Sequence, residues 1–240
     1  MVMLAIDTST AATSAAIVDG DAVLASAEHV DARRHAELLA PMIAELLAAA
    51  AAPITVIAVG VGPGPYTGLR VGIATAQGLA LGWNVPAVGV CSLDVLAAEA
   101  VAAGITGPFI AAGDARRREV YWAEYAVDGA RVRGPFVGPA DDADAAAASL
   151  PWIGDGALLR RAESVPAVMD RLRFPRADVL GRHAQQLMAA GEVPAAPRIG
   201  LSAHGDDDGA TARSVGTSRL LTLAPLYVRR PDAAEPGAVA

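Results

Sequence analysis

The sequence predicts an α/β fold made of two related units, each a mixed sheet with helices on its faces. Two observations carry that expectation. Apolar runs of strand length alternate with stretches whose apolar residues recur every three or four positions, the pattern that lays helices on sheets. A strand, an Asp-Gly turn and a second strand also occur twice, at Asp19-Gly20 and again at Asp128-Gly129, about 109 residues later. The plan β-β-β-α-β-α-β-α therefore begins again in the second half, with the boundary expected between Gly104 and Gly107.

Three short strands lead, over residues 2–6, 13–18 and 22–28. A type I′ turn at Asp19-Gly20 would need φ above zero at both central positions. A helix over 35–51 follows from Leu38, Leu39, Met42, Ile43, Leu46 and Leu47, and Pro41, which lacks an N–H, should kink its first turns. Residues 54–61 form a continuous apolar strand, and the loop GPGPYTG leads into a small-residue helix over 69–81, with Thr67 as its cap. A buried strand at 85–90 precedes a helix to about residue 103, which Ser92 is placed to cap.

In the second unit, strands are expected at 109–112, 120–127, 131–137 and 152–154, with helices over alanine-rich 141–150 and amphipathic 178–190. Between Gly191 and Ser218 the composition turns to Pro, Gly, Ala and Asp, including the run GDDDGA, too little apolar surface to offset the entropy of ordering. The expected organisation is an N-terminal lobe over 1–105, a C-terminal lobe over 106–200, a disordered insert over 201–218 and a segment over 219–240 whose apolar residues 220–228 dock back on the body.

Composition bounds the chemistry. Of 240 residues 56 are alanine, so the 53% apolar fraction overstates the bulky core material, and with only ten aromatics the core should rest on Leu, Val, Ile and Ala. All 19 basic residues are arginine, which excludes a phosphate-loop lysine, a Schiff-base lysine and a kinase strand lysine. A net charge of −7 and a pI near 5.0 argue against a broad nucleic-acid footprint, so any RNA contact would be local or made by a partner. The single cysteine, Cys91, forbids an internal disulfide and a cysteine metal cluster, and fits a reducing compartment. The N-terminus lacks the basic region and long apolar run of a signal peptide. The uncharged stretches 46–69 and 71–93 are broken by Gly and Pro and read as buried strand and helix, so a cytoplasmic protein without membrane spans is expected.

Three stretches could carry chemistry. LAIDTST ends a buried strand in Asp7, Thr8 and Ser9, a group that could hold a metal-nucleotide or satisfy its own turn backbone. GVGPGPYTGLRVG joins a strand to a helix like a phosphate cradle, with Gly62, Gly64 and Thr67 as candidates. It fits neither Walker A nor GxGxxG, and Pro63 and Pro65 each remove a donor. Its glycines suit a tight turn instead, and Gly72, Ala74, Ala76 and Gly78 would leave a smooth helix face that another molecule could approach. GDARRREVYWAEY brings Asp114, Arg116, Arg117 and Arg118 to the second unit's first hairpin, either as a solvated tip or as a contact for phosphate or an acidic partner surface. None of His29, His35, His183 and His204 has the spacing of HxxxH or HExxH, His35 with Glu37 reads as a surface pair, and GxSxG is absent, so neither a metal site nor a catalytic residue is expected.

Taken in order, LAIDTST, RRHAELLAPMI, GPGPYTGLRVG, GDARRREVYWAEY and PLYVRR resemble the TsaB family, also called YeaZ, over nearly the whole chain. The resemblance implies a duplicated RNase H-like (actin-like, ASKHA) two-lobe fold. It implies a non-catalytic subunit that binds and activates TsaD in forming N6-threonylcarbamoyladenosine next to the anticodon of ANN-decoding tRNAs. TsaD would use threonylcarbamoyl-adenylate, a TsaE-like ATPase would join, tRNA would be met indirectly, and the chain alone could pair with itself. ATP and metal would belong to the partner subunits, leaving no cofactor for this chain. Pairing through the two N-terminal-lobe helices carries onto Leu39, Met42, Ile43 and Leu46, and onto Val71, Ala74, Thr75 and Gly78, as the partner interface. The chain departs from the family at Pro65, where serine is usual, and in the Asp-rich insert. The competing reading is a small-molecule kinase or other ATP-binding enzyme of the same fold, with Asp7 and Asp114 around metal-ATP.

Overall fold

Strands that are apolar on both sides must be covered on both sides, and this sets the layering. The computed structural model describes residues 1–140, 149–159, 172–194 and 219–228. The expected helix over 141–150 lies almost wholly, and the insert over 201–218 entirely, outside the described residues. The first half runs β1 (Val2–Asp7), β2 (Ala12–Asp19), β3 (Ala22–Val30), α1 (His35–Ala50), β4 (Val56–Gly60), α2 (Tyr66–Trp83), β5 (Ala87–Val90) and α3 (Ser92–Ala102). The second half runs β6 (Phe109–Arg116), β7 (Glu119–Tyr125), β8 (Arg131–Pro139), β9 (Trp152–Ile153), a 3-10 turn (Asp155–Leu159), α4 (Ala177–Ala189) and β10 (Leu220–Leu221).

The first sheet has the order β10-β5-β4-β1-β2-β3, with β1, β4 and β5 parallel and the others antiparallel to their neighbours. The second has the order β8-β7-β6-β9, with β6 and β9 parallel. Its first three strands and the return strand repeat the arrangement of β3-β2-β1-β4, so the fold is an α/β duplication of mixed sheets with flanking helices. Along β1, Leu4 and Ile6 face Leu39, Ile43 and Leu46 of α1 and Leu69, Ile73 and Ala76 of α2. Met3 and Ala5 face the opposite way, onto Ala177, Leu180, Ala184 and Leu187 of α4.

That position of α4 departs from the expected 106–200 lobe, because the helix packs on β1 and β2 of the first sheet. The approach is close: at Gly181 a Cβ would lie 2.7 Å from Val18 Cγ2, and the backbone N–H of Ala177 donates to Ser14 Oγ at 2.7 Å. Leu220 and Leu221 pair with Val90 and Gly89, so the C-terminal apolar segment closes one edge of the same sheet, and Leu226 N–H donates to the Val61 carbonyl at 2.7 Å.

Other expectations are corrected by local geometry. The β2–β3 loop is Gly20-Asp21, with positive φ at Gly20 alone (58°), so it lacks the two left-handed residues of a type I′ turn. Helix α2 starts at Tyr66 behind Pro65, and Thr67 lies exposed inside its first turn, not at its cap. Ser92 is the first residue of α3 and makes no cap bond, since its hydroxyl is engaged elsewhere. An aliphatic core describes the first sheet, but the second is built on rings: Phe109 stacks on Tyr125, and Trp122 meets both Phe136 and Trp152. The stretches 46–69 and 71–93 resolve into helix and strand, and among the described residues no helix is long and apolar enough to cross a membrane.

Helix α3 joins the sheets through a buried polar knot. Asp94 Oδ1 accepts from Tyr125 Oη at 2.7 Å and lies 3.4 Å from Arg131 Nε. The Arg131 side chain is 10% exposed, so removing the carboxylate would strand a buried cation. Asp94→Ala is expected to cost about 3–5 kcal/mol, read as a lowered urea midpoint of the folded chain.

Candidate functional site

Asp7, at the carboxyl end of β1, is buried with 1% of its surface exposed. Its Oδ1 accepts from the backbone N–H of Ser9 at 2.8 Å and from Ser9 Oγ at 2.7 Å, while Oδ2 accepts from Ser92 Oγ at 2.8 Å. Burial raises the Asp7 carboxyl above its ordinary value, and the three hydrogen bonds pull against that rise. Ser92 also accepts from the Gly62 N–H at 3.3 Å and donates its own N–H to the Gly62 carbonyl at 2.8 Å. The Ser9 and Gly62 N–H groups and the Ser9 and Ser92 hydroxyls are therefore already engaged inside the protein and are not free for a phosphate.

Thr8 ties the same turn to α2: its hydroxyl donates to the Gly68 carbonyl at 2.7 Å and accepts from the Gly72 N–H at 3.1 Å. The contact surface is bare backbone. A Cβ at Gly60 would collide with the Asp7 carboxylate, at Gly64 with the Ser9 carbonyl, at Gly68 with the Thr8 carbonyl and at Gly72 with the Thr8 hydroxyl. Thr13 Oγ1 lies 2.7 Å from His35 Nδ1, and the His35 ring packs beside Gly68. LAIDTST, the start of α1 and GPGPYTGLRVG thus form one interlocked body.

The expected nucleotide or phosphate group is partly brought together by this packing. Asp7, Thr8, Ser9, Gly62 and Gly64 are all buried, whereas Thr67 is exposed and separate from the carboxylate. The reading of His35 and Glu37 as a surface pair is corrected: His35 is buried, with its basicity lowered by burial, and Glu37 bonds Arg34 at 2.9 Å. Ser92 and His35 are members of the cluster that spacing could not find, since they lie far from Asp7 in the chain, and Thr13 joins it through His35. Cys91 is buried, and its thiol is pushed up to about 12, mainly by burial, so it is not a nucleophile. Among the described residues, no three His, Cys, Asp or Glu side chains could hold a metal ion.

The expected partner interface divides. Leu39, Ile43 and Leu46 are 1%, 3% and 6% exposed and fill the core beneath the first sheet, so they are corrected from partner contacts to core residues. Met42, Val71 and Thr75 are half-buried, and Ala74 and Gly78 are exposed. Ala36, Ala40, Ala44 and Ala48 form an exposed row on α1 beside exposed Glu37, Pro41 and Glu45, and Ala74, Gly78 and Gly82 form a row at the same four-residue spacing on α2. Tyr66 stacks on Tyr227 with centroids 5.2 Å apart, and Arg70 lies over Tyr66, at one end of the α2 stripe; Leu81, 85% exposed, lies at the other. Arg116, Arg117 and Arg118 are exposed at the β6–β7 tip, all with left-handed φ (64°, 55° and 65°). Asp114 holds the tip by accepting the Arg116 N–H at 2.7 Å and pairing with its guanidinium at 3.2 Å.

These features define an α/β protein with a duplicated mixed sheet, a sealed carboxylate turn and an open pair of helix faces. A family model described as TsaD, tRNA N6-adenosine threonylcarbamoyltransferase, matches residues 23–212. An uncharacterised protein of Mycobacterium tuberculosis is 45% identical over 147 residues, 59% of this chain and 67% of its own. The tRNA threonylcarbamoyladenosine biosynthesis protein TsaB of Escherichia coli is 42% identical over 131 residues, covering 53% of this chain and 56% of that one. YeaZ from Pseudomonas aeruginosa superposes with a TM-score of 0.66 at 31% identity, over 79% of this chain and 93% of that chain. The chain belongs to this family, in its TsaB (YeaZ) branch. The aligned part spans about half the length of the TsaB relatives, and 40% of a Mycobacterium leprae relative.

The interlock has a direct test in a single methyl group. Gly64→Ala sets a Cβ against the Ser9 backbone carbonyl, which cannot rotate away, so a loss of about 2–4 kcal/mol is expected by thermal and urea unfolding. At exposed Gly78, where a Cβ meets nothing within 4 Å, the same substitution should be neutral or slightly stabilising.

Proposed function

We propose that this chain is a non-catalytic subunit of a tRNA-modifying assembly in the cytoplasm. It would bind and activate a TsaD-type threonylcarbamoyltransferase that forms N6-threonylcarbamoyladenosine next to the anticodon of ANN-decoding tRNAs. Membership of the TsaB branch, whose named relatives are tRNA threonylcarbamoyladenosine biosynthesis proteins, supports the pathway. The observation that carries the subunit role is the outward surface of α1 and α2. Alanine and glycine at four-residue spacing let a partner helix approach to about 8 Å, the near end of interaxial distances. Tyr66, Arg70 and Leu81 supply the aromatic, guanidinium and aliphatic anchors that concentrate binding energy at interfaces.

The sealed Asp7 turn argues against the kinase reading, because its carboxylate and the neighbouring N–H groups are occupied within the fold. Threonylcarbamoyl-adenylate, ATP and metal would be handled by the catalytic subunit and a TsaE-like ATPase. The arginine tip is a local candidate for phosphate or an acidic partner surface. A second copy of this chain could use the same helix faces when the partner is absent.

Reconstitution tests the reading. The isolated chain should leave an unmodified tRNA transcript unchanged, and adding TsaD, the TsaE ATPase and threonylcarbamoyl-adenylate should produce modified tRNA. Ala74→Glu or Ala44→Glu should lower that yield by about tenfold or more and abolish co-elution with TsaD, with the unfolding midpoint unchanged. Modification by the isolated chain would overturn the non-catalytic role, and an Ala74→Glu chain that still co-elutes would move the interface elsewhere.

A further inference from the structure

Glu99 lies on α3 opposite the residues that lead into α4 and is 9% exposed. Its Oε1 lies 3.5 Å from an Arg176 guanidinium nitrogen, the outer limit of a hydrogen bond. Its Oε2 is sealed from solvent and has no hydrogen-bond partner among the described residues. The nearby cations are committed to Asp178 instead. Arg176 places Nε 3.0 Å from one Asp178 oxygen and a terminal nitrogen 3.1 Å from the other, and Arg182 adds a third contact at 3.1 Å. From β3, Glu28 adds like charge. On α4, burial lowers the basicity of His183, and its Nε2 is likewise without a hydrogen-bond partner among the described residues. Two carboxylates thus face two guanidinium groups, and Asp178 holds the better share of both.

We propose that the proton on Glu99 sets how α4 seats against α3, making this helix contact a pH-responsive joint. With the proton on, the buried carboxyl carries no net charge and the observed packing needs no further cation. With the proton lost to water, the charge must draw Arg176 away from Asp178 or swing into the adjoining cleft, a space of about 810 Å³ lined by Glu99, Asp178, Arg182, His183 and Asp21. Either movement loosens the α3–α4 contact. Burial pushes the Glu99 carboxyl from 4.5 to about 7, against the pull of Arg176, so both forms are populated near neutrality. Because the folded chain favours the protonated form, this contribution is intact below about pH 4.5 and is lost as pH rises through about 7. Since α3 leads from the first sheet to the second and α4 covers the first, the joint links both halves of the molecule.

Amide hydrogen exchange on the full chain, corrected for intrinsic rates, tests the proposal at about pH 6 and about pH 8.5. Protection across α3 and the first turns of α4 should fall severalfold at the higher pH. Glu99→Gln should hold the pH 6 level at both and should keep the wild-type fold by circular dichroism. Equal wild-type protection at the two pH values, or a pH response that persists in Glu99→Gln, would overturn the proposal, the second result assigning the response to another group such as His183.

Discussion

Asp7 is a carboxylate with almost no access to water, held at the end of the central strand by one backbone and two hydroxyl donors. A buried carboxyl of this kind is costly unless its hydrogen bonds are fixed, and the groups that fix it here come from four parts of the chain. Ser9 belongs to the turn itself, Ser92 starts α3, Gly60 ends β4, and the Gly62 N–H turns inward to Ser92. None of these can shift without exposing or crowding the carboxylate. The hairpin turn after β1 and the strand-to-helix turns after β4 and β5 are consequently built around one atom group, and the directions of α2 and α3 follow from it.

The same constraint decides which surfaces are left for other molecules. Gly68 and Gly72 spend one side of α2 on Thr8, and Leu69, Ile73 and Ala76 spend the neighbouring side on the sheet. What remains outward is Tyr66, Arg70, Ala74, Gly78 and Leu81, beside the alanine row of α1. Small residues on α2 therefore serve two ends. Those facing in allow the carboxylate turn to close, and those facing out keep the exposed face low. The docked segment around Tyr227 extends this outer face by stacking on Tyr66, while Gln77 donates to the Leu223 carbonyl at 3.0 Å.

Much of the architecture was legible in the sequence because periodicity reports burial directly. The succession of strands along each half and the repeated hairpin follow from apolar runs punctuated by Asp-Gly, and the observed strands overlap those runs. Periodicity misleads where burial and partner contact are confused: Leu39, Ile43 and Leu46 recur at helical spacing because they face the core, so the same signal cannot mark a face for another protein. The alanines between them were the informative residues. The location of α4 was illegible because an amphipathic helix declares that it covers an apolar face without saying which. The convergence of Asp7, Ser92 and His35 was hidden for a similar reason, since hydrogen bonds across 85 residues leave no trace in local spacing.

The assignment of α4 and β10 to the first sheet bears on how the chain comes off the ribosome. The first sheet has most of its strands once residue 90 has been made, yet Met3, Ala5, Val18 and Val56 stay bare on one face until α4 follows. The outer edge of β5 waits longer, for Leu220 and Leu221. From residue 90 to residue 189, about 100 residues of synthesis, the nascent protein therefore presents an uncovered apolar face and an unpaired strand edge together, the combination that recruits chaperones or drives aggregation. The residues of α4 and β10 thus act as a cover for strands made well before them, and the first sheet is native only once both have emerged.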